Sequence, residues 1–284
     1  MPPPDISGVP RHLGNATRSP QADVSKIALK GASKRFDARG GDVLALQSID
    51  LTVSEQEFVA LVGPSGCGKS TVLNLVAGLM APSEGSITYN GKHVGGPNLN
   101  VGYITQKDTI LPWRSVADNI GIALELRCRS VSSAERRDRI TQMIELVGLK
   151  GFDRHYPSEL SGGMRKRVAL ARTLIYEPET LLMDEPFGAL DAQLKLVMQD
   201  ELQQLTQMRR MTVMFVTHDL GEAIALADRV VVFTGRPGRI KTVREVALPR
   251  PRDVFRMRFT EEFGRLHEEL WDELKDEVAK GSDI

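Results

Sequence analysis

The feature that most constrains this chain is a glycine-rich segment set between a strand-like run and a helix-like run. The segment fits the pattern G-x-x-x-x-G-K-[ST] and reads Gly63-Pro64-Ser65-Gly66-Cys67-Gly68-Lys69-Ser70-Thr71. Residues 57–62 before it are typical of a buried strand, and residues 72–79 after it are typical of an apolar helix. A strand–loop–helix unit of this kind is the context in which the pattern marks a phosphate-binding loop.

The predicted chemistry of this loop is the binding of a nucleoside triphosphate. Glycines let successive backbone N–H groups point inward at phosphate oxygens, and the following helix adds the positive end of its dipole. Lys69 is expected to reach the β- and γ-phosphates, and the Ser70 hydroxyl is expected to ligate Mg²⁺. The alternative is a glycine-rich turn that carries Lys and Ser by coincidence, and both flanking segments argue against it.

Composition excludes several other classes of protein. The 284 residues contain 37 Lys plus Arg and 37 Asp plus Glu, so the net charge gives no electrostatic case for nucleic-acid binding. No apolar run approaches the roughly 18 residues that cross a bilayer, and no secretory signal is visible at the N-terminus. Two cysteines, Cys67 and Cys128, do not form a disulfide framework, which suits a reducing cytoplasm.

The order of apolar patterns predicts an α/β core interrupted by a helical insert at about residues 107–176. Short alternating runs from Ile27 to about residue 51, with a turn at 40–42, indicate antiparallel strands. Asn90-Gly91 after residues 85–89 is a strong hairpin signal. We expect the Pro- and Ser-rich residues 1–24 to be a disordered lead-in.

A C-terminal extension, residues 249–284, follows a core domain at 25–248. Apolar residues recur in it at helical spacing, which predicts an amphipathic helix packed on the core. These residues are Phe255, Phe259, Phe263, Leu266, Leu270 and Leu274. The alternative is a docking or regulatory helix that uses Trp271.

An acidic pair, Asp184-Glu185, ends a second apolar strand-like run. Because such a strand ends at the carboxyl edge of the sheet, we expect the pair to lie beside the phosphate-binding loop. Asp184 would hold Mg²⁺, directly or through water, and Glu185 would be the general base that polarises the attacking water. Acidic pairs are common at strand ends, but this one is followed by Pro186-Phe187-Gly188-Ala189-Leu190-Asp191.

A second candidate anion site is the segment Leu160-Ser161-Gly162-Gly163-Met164. Backbone N–H groups at a helix N-terminus bind phosphate, and two glycines there allow close approach. An ordinary Ser cap would explain Ser161 alone. Glycines in the first turn reduce helix stability, so packing gives little reason for both. We therefore predict two elements that bind γ-phosphate.

Over about residues 26–245 these segments resemble the ATP-binding subunit of an ABC transporter. Residues 63–71 are similar to the Walker A loop, 160–164 to the signature and 181–185 to Walker B. Three shorter matches are the Q-loop glutamine Gln106, the D-loop Ala189-Leu190-Asp191 and the switch histidine His218. The resemblance implies a P-loop NTPase core with a mostly parallel sheet, an N-terminal antiparallel β subdomain and an inserted α-helical subdomain.

The resemblance also implies a homodimer with two sites for ATP and Mg²⁺, each shared between subunits. Its catalytic residues would be Glu185, His218 and Gln106, and its metal ligands would be Ser70, Gln106 and Asp184. The nucleotide would contact residues 63–71, Phe36 stacked on adenine, and Ser161, Gly162, Gly163 and Asp191 of the opposite subunit. Ordinary strand packing would also explain Phe36.

The implied location is the cytoplasmic face of the membrane, peripheral through integral-membrane permease subunits bound at the region 106–113. A periplasmic or extracellular solute-binding protein would act indirectly, and no nucleic acid is implied. Met164 stands where the family usually has Gln. Leu-Ser-Gly-Gly-Met-Arg, residues 110–116 and residues 235–240 resemble the nitrate/sulfonate/taurine importer subgroup.

Two other functions stay open at this stage. A non-transport ABC ATPase acting on DNA or ribosomes would carry a long coiled coil or two cassettes in one chain. A catalytically silent subunit that only senses ATP would have lost catalytic residues, whereas Lys69, Asp184, Glu185 and His218 are all present.

Overall fold

The computed structural model describes residues 25–37, 41–107, 109–127, 131–188 and 190–281, and the predicted lead-in 1–24, Gly40, Cys128 and Ala189 lie outside these ranges. The strands are β1 (Ile27–Phe36), β2 (Val43–Val53), β3 (Phe58–Val62), β4 (Glu84–Tyr89), β5 (Lys92–His93), β6 (Val101–Ile104), β7 (Thr180–Asp184), β8 (Thr212–Val216), β9 (Arg229–Phe233) and β10 (Ile240–Glu245). The helices are α1 (Lys69–Val76), α2 (Val116–Arg127), α3 (Ser133–Leu146), α4 (Gly162–Leu174), α5 (Ala192–Met208), α6 (Leu220–Leu226) and α7 (Glu261–Gly281).

The strands form two sheets. The first is antiparallel, in the order β2-β1-β4-β5, and Asn90 and Gly91 make its predicted hairpin turn with positive φ angles of 49° and 71°. The second has the order β10-β9-β3-β8-β7-β6 and is parallel except for β10. This arrangement confirms the predicted α/β class, with its N-terminal antiparallel sheet and mostly parallel main sheet.

Alternation along the central strands divides their side chains between two cores. Leu61, Met214 and Val231 face a core shared with the antiparallel sheet and α1. Val62 and Phe215 face a larger core shared with helices α2 to α7. Strands β3, β7 and β8 are buried along their whole length, because both faces of the sheet are covered. Their parallel register brings the loops that follow them to one edge of the sheet.

The C-terminal prediction is correct for α7 and wrong for the two aromatic residues before it. Phe263, Leu270 and Leu274 are buried against the core, but Phe255 and Phe259 precede the helix, and Phe259 is 90% exposed. The reason is local: Asp253 Oδ1 accepts hydrogen bonds of 3.0 Å from the backbone N–H groups of the second and third residues after it. This turn competes with helical hydrogen bonding. Within the described ranges, no helix has the length and apolarity needed to cross a membrane.

Candidate functional site

The glycine-rich loop lies between β3 and α1, as predicted. Gly66 and Gly68 have φ angles of +72° and +103°, which non-glycine residues rarely adopt. A Cβ atom on Gly68 would lie 2.6 Å from Leu46 Cδ2 and 3.1 Å from the Ala45 carbonyl oxygen. Strand β2 therefore packs directly on the loop, and only glycine fits between them.

Lys69 extends into the loop that it follows. Its side chain is buried, and Nζ donates hydrogen bonds of 2.8 Å to the carbonyls of both Gly63 and Pro64. The Cys67 sulfur lies 3.7 Å from the same Nζ. Burial raises the pKa of the Cys67 thiol despite the nearby ammonium, so the thiol is neutral and fills space. The loop thus holds a fixed positive charge at its centre.

Ser70 and Asp184 meet at the carboxyl edge of the sheet. Ser70 Oγ donates a 3.0 Å hydrogen bond to Asp184 Oδ1, and burial raises the pKa of Asp184 while that bond opposes the shift. The Ser70 bond only partly offsets the cost of burying the Asp184 carboxylate. A hydroxyl next to such a carboxylate suits a hard cation such as Mg²⁺. Among the described side chains, no group of three or more His, Cys, Asp and Glu residues could hold a metal. The Ser70 hydroxyl and the Asp184 carboxylate are the protein oxygens that this pair could offer to a cation.

Glu185 lies where three loops converge. Gln106 Nε2, after β6, donates a hydrogen bond of 3.1 Å to Glu185 Oε2, and His218 Nδ1, after β8, lies 3.5 Å from the same oxygen. Glu185 has a φ angle of +46°, and its backbone is held by bonds to Val216 O (3.0 Å) and from Gly188 N (3.2 Å). A strained backbone fixed in this way holds the carboxylate at a defined position.

Lys69, Ser70, Gln106 and Glu185 line one cleft of about 450 Å³, whereas Asp184 and His218 are not among its lining residues. Its wall also includes Phe36, which is 38% exposed, and residues of β2. Lys34 Nζ lies 5.4 Å from the centre of the Phe36 ring, so the ring already has a cation on one face. The described residues that line the cleft are Phe36, Val43, Ala45, Ser65, Gly66, Gly68, Lys69, Ser70, Thr71, Gln106, Glu185 and Arg236.

The signature segment lies apart from this cleft. Ser161 Oγ caps α4 by accepting from Met164 N at 3.3 Å, and Asp191 Oδ1 caps α5 in the same way. None of the four predicted residues Ser161, Gly162, Gly163 and Asp191 lines the cleft. Within one chain, these four residues therefore do not share the cleft with the phosphate-binding loop.

The two signature glycines differ in their surroundings, so packing explains one of them and not both. A Cβ on Gly163 would lie 2.7 Å from Leu194 Cδ2 and 3.2 Å from Leu190 Cδ2, so close packing of α4 on the start of α5 requires this glycine. A Cβ on Gly162 would meet only Arg165 Nη2, at 3.8 Å. Packing within the subunit therefore leaves Gly162 unexplained.

Sequence reasoning missed three cations whose contacts join distant parts of the chain, two of them to residues that line the cleft. Lys166, on α4, donates to the Gln106 carbonyl. Lys195, on α5, pairs with the buried Glu222 at 2.8 Å. Arg236 donates to the Gly66 carbonyl. Each contact joins residues far apart in the sequence, so no local pattern identifies it.

The phosphate-binding loop, the acidic strand end and the three converging loops define the P-loop class of nucleoside triphosphatase. A family model described as ABC transporter matches residues 46–188. The chain belongs to the ABC transporter family and is an ATP-binding, ATP-hydrolysing subunit of such a transporter.

Similar proteins support this assignment along nearly the whole chain. An uncharacterised ABC transporter ATP-binding protein of Methanocaldococcus jannaschii is 46% identical, with 90% of this chain and 93% of that protein covered. The aliphatic sulfonates import ATP-binding protein of Bacillus licheniformis is 43% identical, with 80% of this chain and 87% of that protein covered. The nitrate import ATP-binding protein of Synechococcus elongatus is 43% identical, with 86% of this chain and 37% of that protein covered.

A solved structure shows the same fold. It is the dimeric structure of a post-hydrolysis state of an ATP-binding cassette bound to ADP and Pi. The TM-score is 0.72 and the identity 29%, with 78% of this chain and all of that chain covered. The resemblance noted from the motifs is thereby confirmed at the level of family and fold.

Proposed function

We propose that the protein powers an importer for nitrate, a sulfonate, taurine or a related small solute, through ATP-driven closure of a homodimer. The observation that carries the hydrolytic part is the convergence of Gln106 and His218 on one carboxylate oxygen of Glu185. The importer part rests on the sulfonate and nitrate import relatives and on the subgroup motifs.

Within one subunit, the chain's own residues would bind and orient ATP. Backbone N–H groups of residues 63–71 and the Lys69 ammonium would hold the phosphates, and Phe36 would pack on the adenine. Mg²⁺, held by Ser70, Asp184 and Gln106, would neutralise charge on the β- and γ-phosphates. Glu185 would accept a proton from the attacking water, with His218 fixing the position of that water and of the γ-phosphate.

The second half of the site would come from another copy of the chain. The partner's Ser161, Gly162 and Gly163 would close on the γ-phosphate, with Asp191 beside them, because these residues lie outside the cleft of their own subunit. ATP would then make contacts that exist only in the closed dimer, so binding would shift the equilibrium toward closure. Hydrolysis would remove those contacts.

Contact with the permease would be made by the segment 106–113. Trp113 is 71% exposed. The fully buried Asn119 organises this segment, with its side chain hydrogen-bonded to Leu111 N and O, Arg114 O and Ser115 O at 2.7–3.0 Å. An exposed aromatic residue on a fixed loop is suited to packing against a partner.

Purified permease complexes test the importer proposal. We expect the chain to hydrolyse ATP, and its complex in lipid vesicles to take up taurine, nitrate or an alkanesulfonate when the binding protein is added. Trp113→Ala should abolish co-purification with the permease and leave the ATPase activity of the isolated chain within about twofold. ATP-dependent export, or binding of the Trp113→Ala variant to the permease at the level of the wild-type chain, would contradict the proposal.

The proposal disfavours a subunit that only senses nucleotide. Such a subunit has no use for a strained general base held by groups from two other loops. A non-transport role on nucleic acid has no support in a chain with equal numbers of acidic and basic residues.

A further inference from the structure

The turn between β9 and β10 lies directly on the phosphate-binding loop. A Cβ on Gly238 would lie 2.0 Å from the Cys67 carbonyl oxygen, so the two backbones touch. Gly238 also exchanges backbone hydrogen bonds with β2, donating to Ala45 O at 2.9 Å and accepting from Gln47 N at 3.0 Å. The turn is therefore part of the wall that supports the loop from outside.

Arg236 extends from this turn to the exposed crest of the loop. Its Nε and Nη2 atoms lie 3.3 and 3.1 Å from the Gly66 carbonyl oxygen, so two N–H groups of the guanidinium donate to one acceptor. Arg236 also lines the nucleotide cleft. Gly66 has a φ angle of +72° and no side chain to hold it in place. Because Arg236 holds this carbonyl, the peptide plane between Gly66 and Cys67 keeps its orientation within the loop.

The far side of the same turn is held by the C-terminal helix. Glu277 of α7 is 9% exposed, and its Oε2 accepts a hydrogen bond of 2.9 Å from Gly235 N, the residue before Arg236. Its Oε1 lies 3.8 Å from Lys241 Nζ on β10. A buried carboxylate bound to a backbone N–H fixes that N–H strongly. A short path thus runs from α7 through Gly235 and Arg236 to Gly66.

We propose that Arg236 is a positioning residue of the ATP site and that Glu277 holds it, so that α7 sets the geometry of the phosphate-binding loop. This inference rests on the ATPase function proposed above and deepens it. It gives the C-terminal helix a role in nucleotide affinity beyond covering the core. The loop amides contact phosphate before and during hydrolysis, so loosening them raises KM for ATP more than it lowers kcat.

The test compares matched variants of the full-length chain. Arg236→Ala should raise KM and Kd for ATP about fivefold, the scale of one charge-assisted hydrogen bond near solvent, with kcat within about twofold. Arg236→Lys keeps the charge without the planar fork and should give an intermediate KM. The control is Arg239→Ala, in the same turn, because Arg239 bonds to Gln47 and not to the loop. Its KM should stay within about twofold of wild type.

The helix is tested in the same assay. Glu277→Ala should raise KM for ATP about as much as Arg236→Ala. The KM of the double variant should be no higher than that of Arg236→Ala alone, since both residues act through the same series of contacts. The control is Glu273→Ala, because the Glu273 side chain pairs with Lys241 and Arg244 of β10 and forms no hydrogen bond or ion pair with the described residues of the turn. If Glu277→Ala does not fold, Glu277→Gln keeps the side-chain volume and should still raise KM measurably.

Three results would overturn the inference. One is a folded Arg236→Ala chain with wild-type KM. Another is a Glu277 variant that folds with wild-type KM. The third is a double variant whose KM increase is the product of the two single increases. Absence of ATPase activity in the wild-type chain would instead contradict the proposed function itself, so the two failures are distinguishable.

Discussion

Gln106 contacts the candidate general base Glu185 through its side chain and helix α4 through its backbone carbonyl. Its side-chain Nε2 donates to Glu185 Oε2 at 3.1 Å, and its backbone carbonyl accepts a hydrogen bond from Lys166 Nζ on α4. Arg172, further along α4, holds Thr109 through bonds of 2.6 and 2.9 Å. A displacement of α4 would therefore move the loop that carries Gln106. It would change the contact between Gln106 and Glu185.

Removal of the Lys166 contact tests this connection. We expect Lys166→Met, which preserves the length and packing of the side chain, to lower kcat about tenfold while KM for ATP changes less than threefold. Lys166→Arg should recover part of the rate. Steady-state ATPase measurements test this, with Arg139→Met, at a partly exposed position on α3, as the control. An unchanged kcat in Lys166→Met would show that the contact does not matter for hydrolysis.

The buried ion pair between α5 and α6 predicts a stability effect. Lys195 Nζ lies 2.8 Å from Glu222 Oε1, and Glu222 is 3% exposed and also accepts from Thr217 Oγ1. Lys195→Met leaves this carboxylate buried without its cation. The free energy of unfolding should fall by about 3 kcal/mol.

Urea unfolding measures this loss, and a surface pair provides the comparison. Arg265→Met breaks an exposed pair with Glu269 on α7 and should cost less than about 0.5 kcal/mol. Equal losses in the two variants would contradict the account of Glu222 as a buried charge that depends on Lys195.

The two signature glycines predict opposite outcomes. Gly162→Ala places a methyl group in ordinary van der Waals contact with Arg165, so stability should be kept or slightly raised, because Ala favours helix. ATPase activity should nevertheless fall at least tenfold if a partner's nucleotide approaches there. Gly163→Ala must displace Leu194 and should lose about 1–3 kcal/mol of stability. Thermal unfolding and ATPase rates together test this, and full activity in Gly162→Ala would contradict the shared site.

The ion pair between Lys26 and Glu179 predicts part of the loss of folding stability at acidic pH. The 2.6 Å hydrogen bond from Lys26 lowers the pKa of Glu179 below its ordinary value of 4.5, although partial burial opposes the shift. A carboxyl group whose pKa is lowered on folding stabilises the folded state at pH values above its ordinary pKa. This stabilisation is lost as the pH falls through the lowered pKa of the folded state.

Glu179→Gln removes this contribution. It should cost at most about 1 kcal/mol at pH 7, because Glu179 is more than half exposed. The difference from wild type should shrink as the pH falls below about 4.5. Urea unfolding at several pH values checks this, and a difference that stays constant with pH would contradict the assignment.

Sequence reasoning succeeded where the chemistry is local and failed where it depends on distant partners. The order of strand, loop and helix around Lys69, and the acidic end of β7, follow from short patterns. Arg236 lies 170 residues from Gly66, so its role depends on the order of strands in the sheet. Helical spacing wrongly predicts Phe259 on the helix, because spacing alone does not reveal the competing turn at Asp253.

The most direct test of the account is ATP turnover by Glu185→Gln. The amide is isosteric with the carboxylate but cannot accept the proton of the attacking water, so kcat should fall at least about a hundredfold. ATP binding should stay within about threefold of wild type, and ATP should trap a stable dimer detectable by size-exclusion chromatography. ATPase activity at the wild-type rate in Glu185→Gln would contradict the central claim that this carboxylate is the general base.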